Sequence, residues 1–201
     1  MQTIIYPKNH LGCRLARGVL SILGWTVVFD GLPATKGVMV IYPHTSNWDF
    51  CIAILAKWST GLPFRFLAKD SLFKIPVFSK WLRSVGGIPV IRNSPQGYVE
   101  HLAEQLMSQD LAWLVITPEG TRQYTPGWRS GFYHLALKAQ VPIGLSVIDY
   151  QKKQMVMSQF FMPSGVEEDD LVMIRNAYES CVALHPESAS PIVFWTPTPK
   201  N

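Results

Sequence analysis

The chain is poor in cysteine and in charge, and it contains no long uninterrupted apolar run. Its three cysteines, Cys13, Cys51 and Cys181, are widely spaced and form no C-x-x-C pair. A disulfide framework or zinc knuckle is therefore not expected, and the pattern fits a reducing compartment. No stretch of about 18 apolar residues occurs, so a standard spanning helix is not expected. The apolar stretch after Arg14 and Arg17 lacks a small-residue cleavage site, so it does not read as a secretory leader. His10, His101, His134 and His185 lie apart without an H-E-x-x-H pattern, which disfavours a metal centre. His134, within a helical stretch, reads as a core or surface residue. Neither G-x-G-x-x-G nor a phosphate loop is present, so no nucleotide cofactor is implied.

The charged fraction is 16%, low for a globular protein, while apolar residues make up 48% and tryptophan occurs seven times. Such a surface offers apolar area to lipid or to a partner. The formal charge of +4 is unevenly spread. Seven basic residues and one acid lie between Lys57 and Arg92, whereas Glu167 to Glu187 holds six acids against Arg175. A basic half suits an anionic partner such as a phosphate or a phospholipid headgroup. Nucleic acid is not expected. Phe64, Phe66, Phe73, Phe78 and Trp81 interleave with the cations but fit apolar core positions.

At 201 residues one domain is expected. Residues 1–24 form a first region, with an amphipathic helix over 11–24. Leu11, Leu15, Val19 and Ile22 recur at helical spacing, and Arg14, Arg17 and Ser21 fall on the other face. Such a helix suits a bilayer interface, and equally packing on a core. From residue 25 to 201, β-rich runs alternate with helical ones: strands at 25–30, 37–42, 64–68, 88–91, 112–117, 142–149 and 155–161. Helices are predicted over 49–59, 77–85, 96–108, 129–139 and 171–184, before a proline- and serine-rich tail from His185. This alternation predicts a single α/β layered domain whose central sheet is mostly parallel and flanked by helices.

Three polar segments follow apolar strands, where sites in open α/β sheets collect. The first is Pro43-His44-Thr45-Ser46-Asn47-Trp48-Asp49. A histidine acts as a general base near neutral pH when a carboxylate fixes its tautomer. On a continuous helix Asp49 would stand about 140° from His44. The two meet only if the chain turns between them, which Thr-Ser-Asn suits; the segment also reads as a helix cap with an incidental histidine. The second is Thr117-Pro118-Glu119-Gly120-Thr121-Arg122, where Gly120 permits a tight backbone and Arg122 can grip a phosphate. The third is Gly86 to Arg92.

Together these segments resemble the glycerolipid acyltransferase family, which includes the 1-acyl-glycerol-3-phosphate acyltransferases. His44 through Asp49 matches its H-x-x-x-x-D motif, and Glu119-Gly120-Thr121-Arg122 its E-G-T-R motif. Arg92 matches the arginine of an intervening block, and Val141-Pro142-Ile143 looks like the fourth block. The resemblance covers residues 25 to 150. Ile91, Thr117 and Gly144-Leu145 depart from the family's usual residues and leave the acceptor open.

The resemblance implies acyl transfer from acyl-CoA or acyl carrier protein to the hydroxyl of a lysolipid, 1-acyl-glycerol-3-phosphate first. His44 is then the base and Asp49 its partner. Arg92, Glu119, Gly120, Thr121, Arg122 and Lys69 are implied in substrate binding, with no cofactor beyond the donor. It also implies work at the cytoplasmic face of a bacterial inner membrane, as a peripheral or monotopic protein. Another acceptor, such as a lyso-ornithine lipid, fits the same residues. An idle lipid-binding protein is the other reading, but it predicts erosion of His44, Asp49, Glu119 and Arg122, all of which are present.

Overall fold

The computed structural model describes residues 10–90 and 97–195. Seven strands form one sheet: β1 (Thr26–Phe29), β2 (Lys36–Tyr42), β3 (Phe64–Lys69), β4 (Gly87–Val90), β5 (Ala112–Ile116), β6 (Ile143–Asp149) and β7 (Gln154–Phe161). Their spatial order is β1-β7-β6-β2-β5-β3-β4. Every neighbouring pair is parallel except the β6–β7 hairpin, so β1 and β7 run against the other five. Among the described residues six α-helices flank the sheet: α1 (Leu11–Ile22), α2 (Asn47–Thr60), α3 (Pro76–Ser84), α4 (Tyr98–Met107), α5 (Gly131–Ala139) and α6 (Glu167–Tyr178). The domain is α/β with a mostly parallel central sheet and a preceding helix, as the alternation predicts.

Central strand β2 shows why the sheet is two-sided. Successive side chains point to opposite faces. Val38 and Val40 join the core beneath α4, α5 and α6, while Met39 and Ile41 join the core beneath α1 and α2. Gly37 has no side chain because the Trp113 ring occupies that space, where a Cβ would lie 2.4 Å from it. Three strands running the same way (β2, β3 and β5) thus end close together, and their carboxyl ends carry the polar loops.

Two predicted elements differ. The last helix spans Glu167–Tyr178 rather than 171–184. Its first turn is the acidic run Glu167 to Asp170, favoured at the positive end of the helix dipole. The chain has left the helix by Val182, whose carbonyl accepts from the Tyr150 amide. Helix α1 packs on α2 through its small side: Cys13, Ala16 and Leu20 are buried. Its regular apolar row faces outward, with Leu15 62% and Ile22 87% exposed. Arg17 ties the two helices, its Nε donating to the Ser59 carbonyl at 3.0 Å. His134 lies on the exposed side of α5.

Candidate active site

Strand β2 ends at Tyr42, and the next residues cannot continue the sheet because they cap α2. Ser46 is the N-cap; its hydroxyl accepts from the Trp48 amide at 3.2 Å. Asp49 closes the capping box from the third helical position. Its Oδ2 accepts from the Ser46 amide at 2.8 Å and the Thr45 amide at 2.7 Å. The same oxygen faces His44 Nδ1 at 3.2 Å. The turn through Thr45, Ser46 and Asn47 therefore brings histidine and aspartate together, and the helix cap and the pair are one structure.

Asp49 is 2% exposed and the His44 side chain 16%. Burial raises the Asp49 pKa, but hydrogen bonds from His44, Tyr150 and the Ser46 amide outweigh it, leaving it below the ordinary carboxylate value. An ionised Asp49 only accepts, so the shared proton belongs to His44 Nδ1. In the neutral imidazole Nε2 then carries the free lone pair.

Glu119 lies at the end of β5, with both carboxylate oxygens turned inward. Oε2 accepts from the His44 amide at 2.7 Å, and Oε1 from the Ser190 amide at 3.0 Å. It thereby holds the backbone of His44 from behind. Burial is the largest influence on its pKa and, despite the two amides, pushes it up to about 7; the Asp49 charge adds to the rise.

Two cavities open at these strand ends. An inner one of about 110 Å³ runs from His44 and Asp49 along α2, past Ala53 and Ile54, to Lys57. Phe64, Phe66 and Met157 complete its largely apolar wall. A second cleft, of about 360 Å³, lies across β3 and β5 and carries Lys69, Arg129, Gly120 and Tyr98. Leu67 and Thr117 line both, so the two meet there.

Of the residues predicted from sequence, His44, Asp49 and Glu119 form one cluster. Lys69 and Gly120 line the second cleft. Gly120 has φ +66°, and a Cβ there would stand 3.2 Å from Arg129 Nε. The Thr121 hydroxyl accepts from the Gln123 amide at 3.3 Å. Arg122 is exposed and belongs to the wall of neither cavity. Arg92 lies outside the described residues. Among the described residues, no group of three or more histidine, cysteine or acidic side chains could hold a metal ion.

Sequence reasoning missed four parts of this site. Arg129 faces the second cleft, its amide donating to the Pro118 carbonyl at 2.9 Å. Lys57 lines the inner cavity. Tyr150 donates to Asp49 Oδ1 at 2.6 Å. The segment from His185 to Trp195 straps the loops: the His185 amide donates to Thr45 Oγ1, and the Ser190 carbonyl accepts from Tyr42. Only Arg129, a cation ten positions after Glu119 in a turn-rich stretch, left a local signal.

A family model described as Acyltransferase matches residues 26–146. The 1-acyl-sn-glycerol-3-phosphate acyltransferase of Streptococcus pneumoniae (strain ATCC BAA-255 / R6) is 25% identical over 114 residues. That match covers 53% of this chain and 42% of the relative, so the chain spans less than half of that protein's length. The crystal structure of the 1-acyl-sn-glycerophosphate (LPA) acyltransferase PlsC from Thermotoga maritima superposes with a TM-score of 0.56 at 18% identity. The superposition covers 83% of this chain and 75% of that one, a likeness of fold.

Proposed function

The chain belongs to the acyltransferase family, and from that premise we propose that it moves a fatty acyl group from a thioester to the hydroxyl of a lysolipid. The observation that carries this reading is the position of the His44–Asp49 pair, at one end of an apolar cavity that meets a cationic cleft. The apolar cavity suits a fatty chain. Lys69 and Arg129 suit the phosphate of 1-acyl-glycerol-3-phosphate, because cations aimed into a cleft hold phosphate through charge-assisted hydrogen bonds.

The geometry supports the following step. Nε2 of His44 takes the proton from the acceptor hydroxyl as its oxygen attacks the thioester carbonyl carbon. The tetrahedral intermediate collapses, the C–S bond breaks, and the imidazolium returns its proton to the leaving thiolate. Asp49 holds the ring through Nδ1 and stabilises the transient imidazolium. No acyl-enzyme forms, and the thioester of coenzyme A or acyl carrier protein supplies the acyl group without a further cofactor.

The outer surface supports work at a membrane. Among the described residues no helix is long and apolar enough to cross a bilayer. The row Leu11, Leu15, Val19 and Ile22 on α1 is exposed, as are Trp48 and Trp58 on α2 and Val77 and Trp81 on α3. An apolar helix face flanked by Arg14 and tryptophan is suited to lying in a lipid interface. The protein then docks on the cytoplasmic face, where its lysolipid acceptor resides.

The test offers labelled acyl-CoA and acyl carrier protein separately with lysophosphatidate, lyso-ornithine lipid and lysophosphatidylcholine. A product with one acceptor, abolished by His44→Ala in a variant of unchanged circular dichroism, is the expected result. Substantial turnover by folded His44→Ala refutes the mechanism. A product with lyso-ornithine lipid alone reassigns the acceptor.

A further inference from the structure

We propose that Tyr150 is a positioning residue for the acyl-transfer step, acting on His44 through Asp49. The inference rests on the catalytic reading of that pair. Tyr150 stands four positions beyond the stretch matched by the family model, which ends at residue 146. It reaches the site because β6 runs parallel to β2 and ends beside it, with Tyr42 opposite Val147.

The geometry divides the donors on Asp49 unequally. Oδ2 serves the Thr45 and Ser46 amides and His44. Oδ1 serves Tyr150 alone among the described residues, at 2.6 Å across 101 positions of chain. Donors on one oxygen leave a carboxylate free to swing about that oxygen. A donor on the other fixes its plane, and with it the direction in which Oδ2 presents its lone pairs to His44. The phenol also prevents Oδ1 from being a buried acceptor without a partner.

Tyr150 is itself held on three sides. Its ring meets Trp25 edge to face, with centroids 5.0 Å apart and planes at 87°. Its amide donates to the Val182 carbonyl at 2.9 Å. The turn that carries it is tied by Asp149, whose Oδ1 accepts from the Gln151 and Lys152 amides. Burial first, then the Asp49 hydrogen bond and charge, push the phenol pKa far above its ordinary value, so it remains a donor. The hydroxyl is the only atom that Tyr150→Phe removes, and the ring keeps its contact with Trp25.

The experiment is a double-mutant cycle on the full chain with the acceptor that wild type uses. Tyr150→Phe is expected to lower kcat about tenfold or more with KM unchanged, the scale of one hydrogen bond to a charged group. In Asp49→Asn, whose partner charge is gone, adding Tyr150→Phe is expected to change kcat less than twofold. A Tyr150→Phe enzyme within twofold of wild type overturns the proposal, and so does an equal loss in both backgrounds. A second readout needs no turnover: the His44 Nδ1 proton resonance is expected to be sharp in wild type and to broaden in Tyr150→Phe. An unchanged resonance also overturns the proposal. Wild-type turnover abolished by His44→Ala upholds the acyl-transfer reading whatever Tyr150 does, so the two fail separately.

Discussion

Glu119→Gln isolates the effect of one buried carboxyl behind His44. Glu119 is 1% exposed, and burial, countered in part by the Ser190 and His44 amides, lifts its pKa from an ordinary 4.5 to about 7. The sign follows directly. A group with a raised native pKa binds its proton more tightly folded than unfolded. Its contribution to stability is complete below 4.5 and lost as pH rises through 7. Integrating that shift from pH 5 to pH 8 gives a loss on the order of 2–3 kcal/mol from this one carboxyl. Glutamine has no such proton to lose. It also turns an NH₂ toward the amide of His44 or Ser190, which costs about 1–3 kcal/mol for an unpaired donor at every pH. Urea unfolding of both proteins at pH 5, 6, 7 and 8, in one detergent, reads the difference. The stability gap between wild type and variant should be largest at pH 5 and shrink by roughly 2–3 kcal/mol by pH 8. Other titrating groups largely cancel in that gap. A gap constant to within about 0.5 kcal/mol would mean that Glu119 titrates as an ordinary carboxyl, and the burial argument would be refuted.

Other perturbations probe the rest of the site. Lys57 borders both the inner cavity and the groove where Leu15 and Val19 face Leu55 and Trp58. Lys57→Ala should join the two and move the preferred acyl thioester to longer chains; an unchanged ranking of kcat/KM across a chain-length series counts against a fatty chain in that cavity. Arg129→Ala should raise KM for a phosphate-bearing acceptor on the order of tenfold, more than Arg122→Ala does. Equal effects would place the phosphate outside the second cleft. Leu15→Asp with Val19→Asp leaves Cys13, Ala16 and Leu20 in place, so α1 should fold, but sedimentation with anionic vesicles should fall sharply. Undiminished sedimentation removes α1 from the membrane contact.

The features legible in the sequence were those written in adjacent residues. The β2 run, apolar at every position from Val38 to Ile41, announces a strand buried on both faces. The two polar loops after β2 and β5 can be read because a cap, a turn and a charge stand within six positions. The acids Glu167 to Asp170 fall outside the predicted helix at 171–184 because that boundary follows the apolar residues, whereas the folded helix takes the acids into its first turn. For α1, periodicity identifies the residues that segregate, but the small residues between them make the protein contact. Tyr150, Ser190 and His185 were illegible for another reason. Their hydrogen bonds to the site span 71 to 148 positions and leave no pattern nearby.

Helix α2 has a further consequence. Asp49 sits in its first turn and Lys57 two turns later, with Ala53 and Ile54 between them, all lining one cavity. The Asp49 end and the Lys57 end of that space are thus graduations on a single rigid rod, about 12 Å apart along its axis. Loop motion elsewhere cannot change that interval. A bulky side chain at Ala53 would shorten the space by one helical pitch, about 5.4 Å, whereas a smaller residue at Lys57 would open it toward the α1–α2 groove. Selectivity built this way changes in discrete jumps and does not drift, so relatives that differ at these two positions should fall into separate length classes.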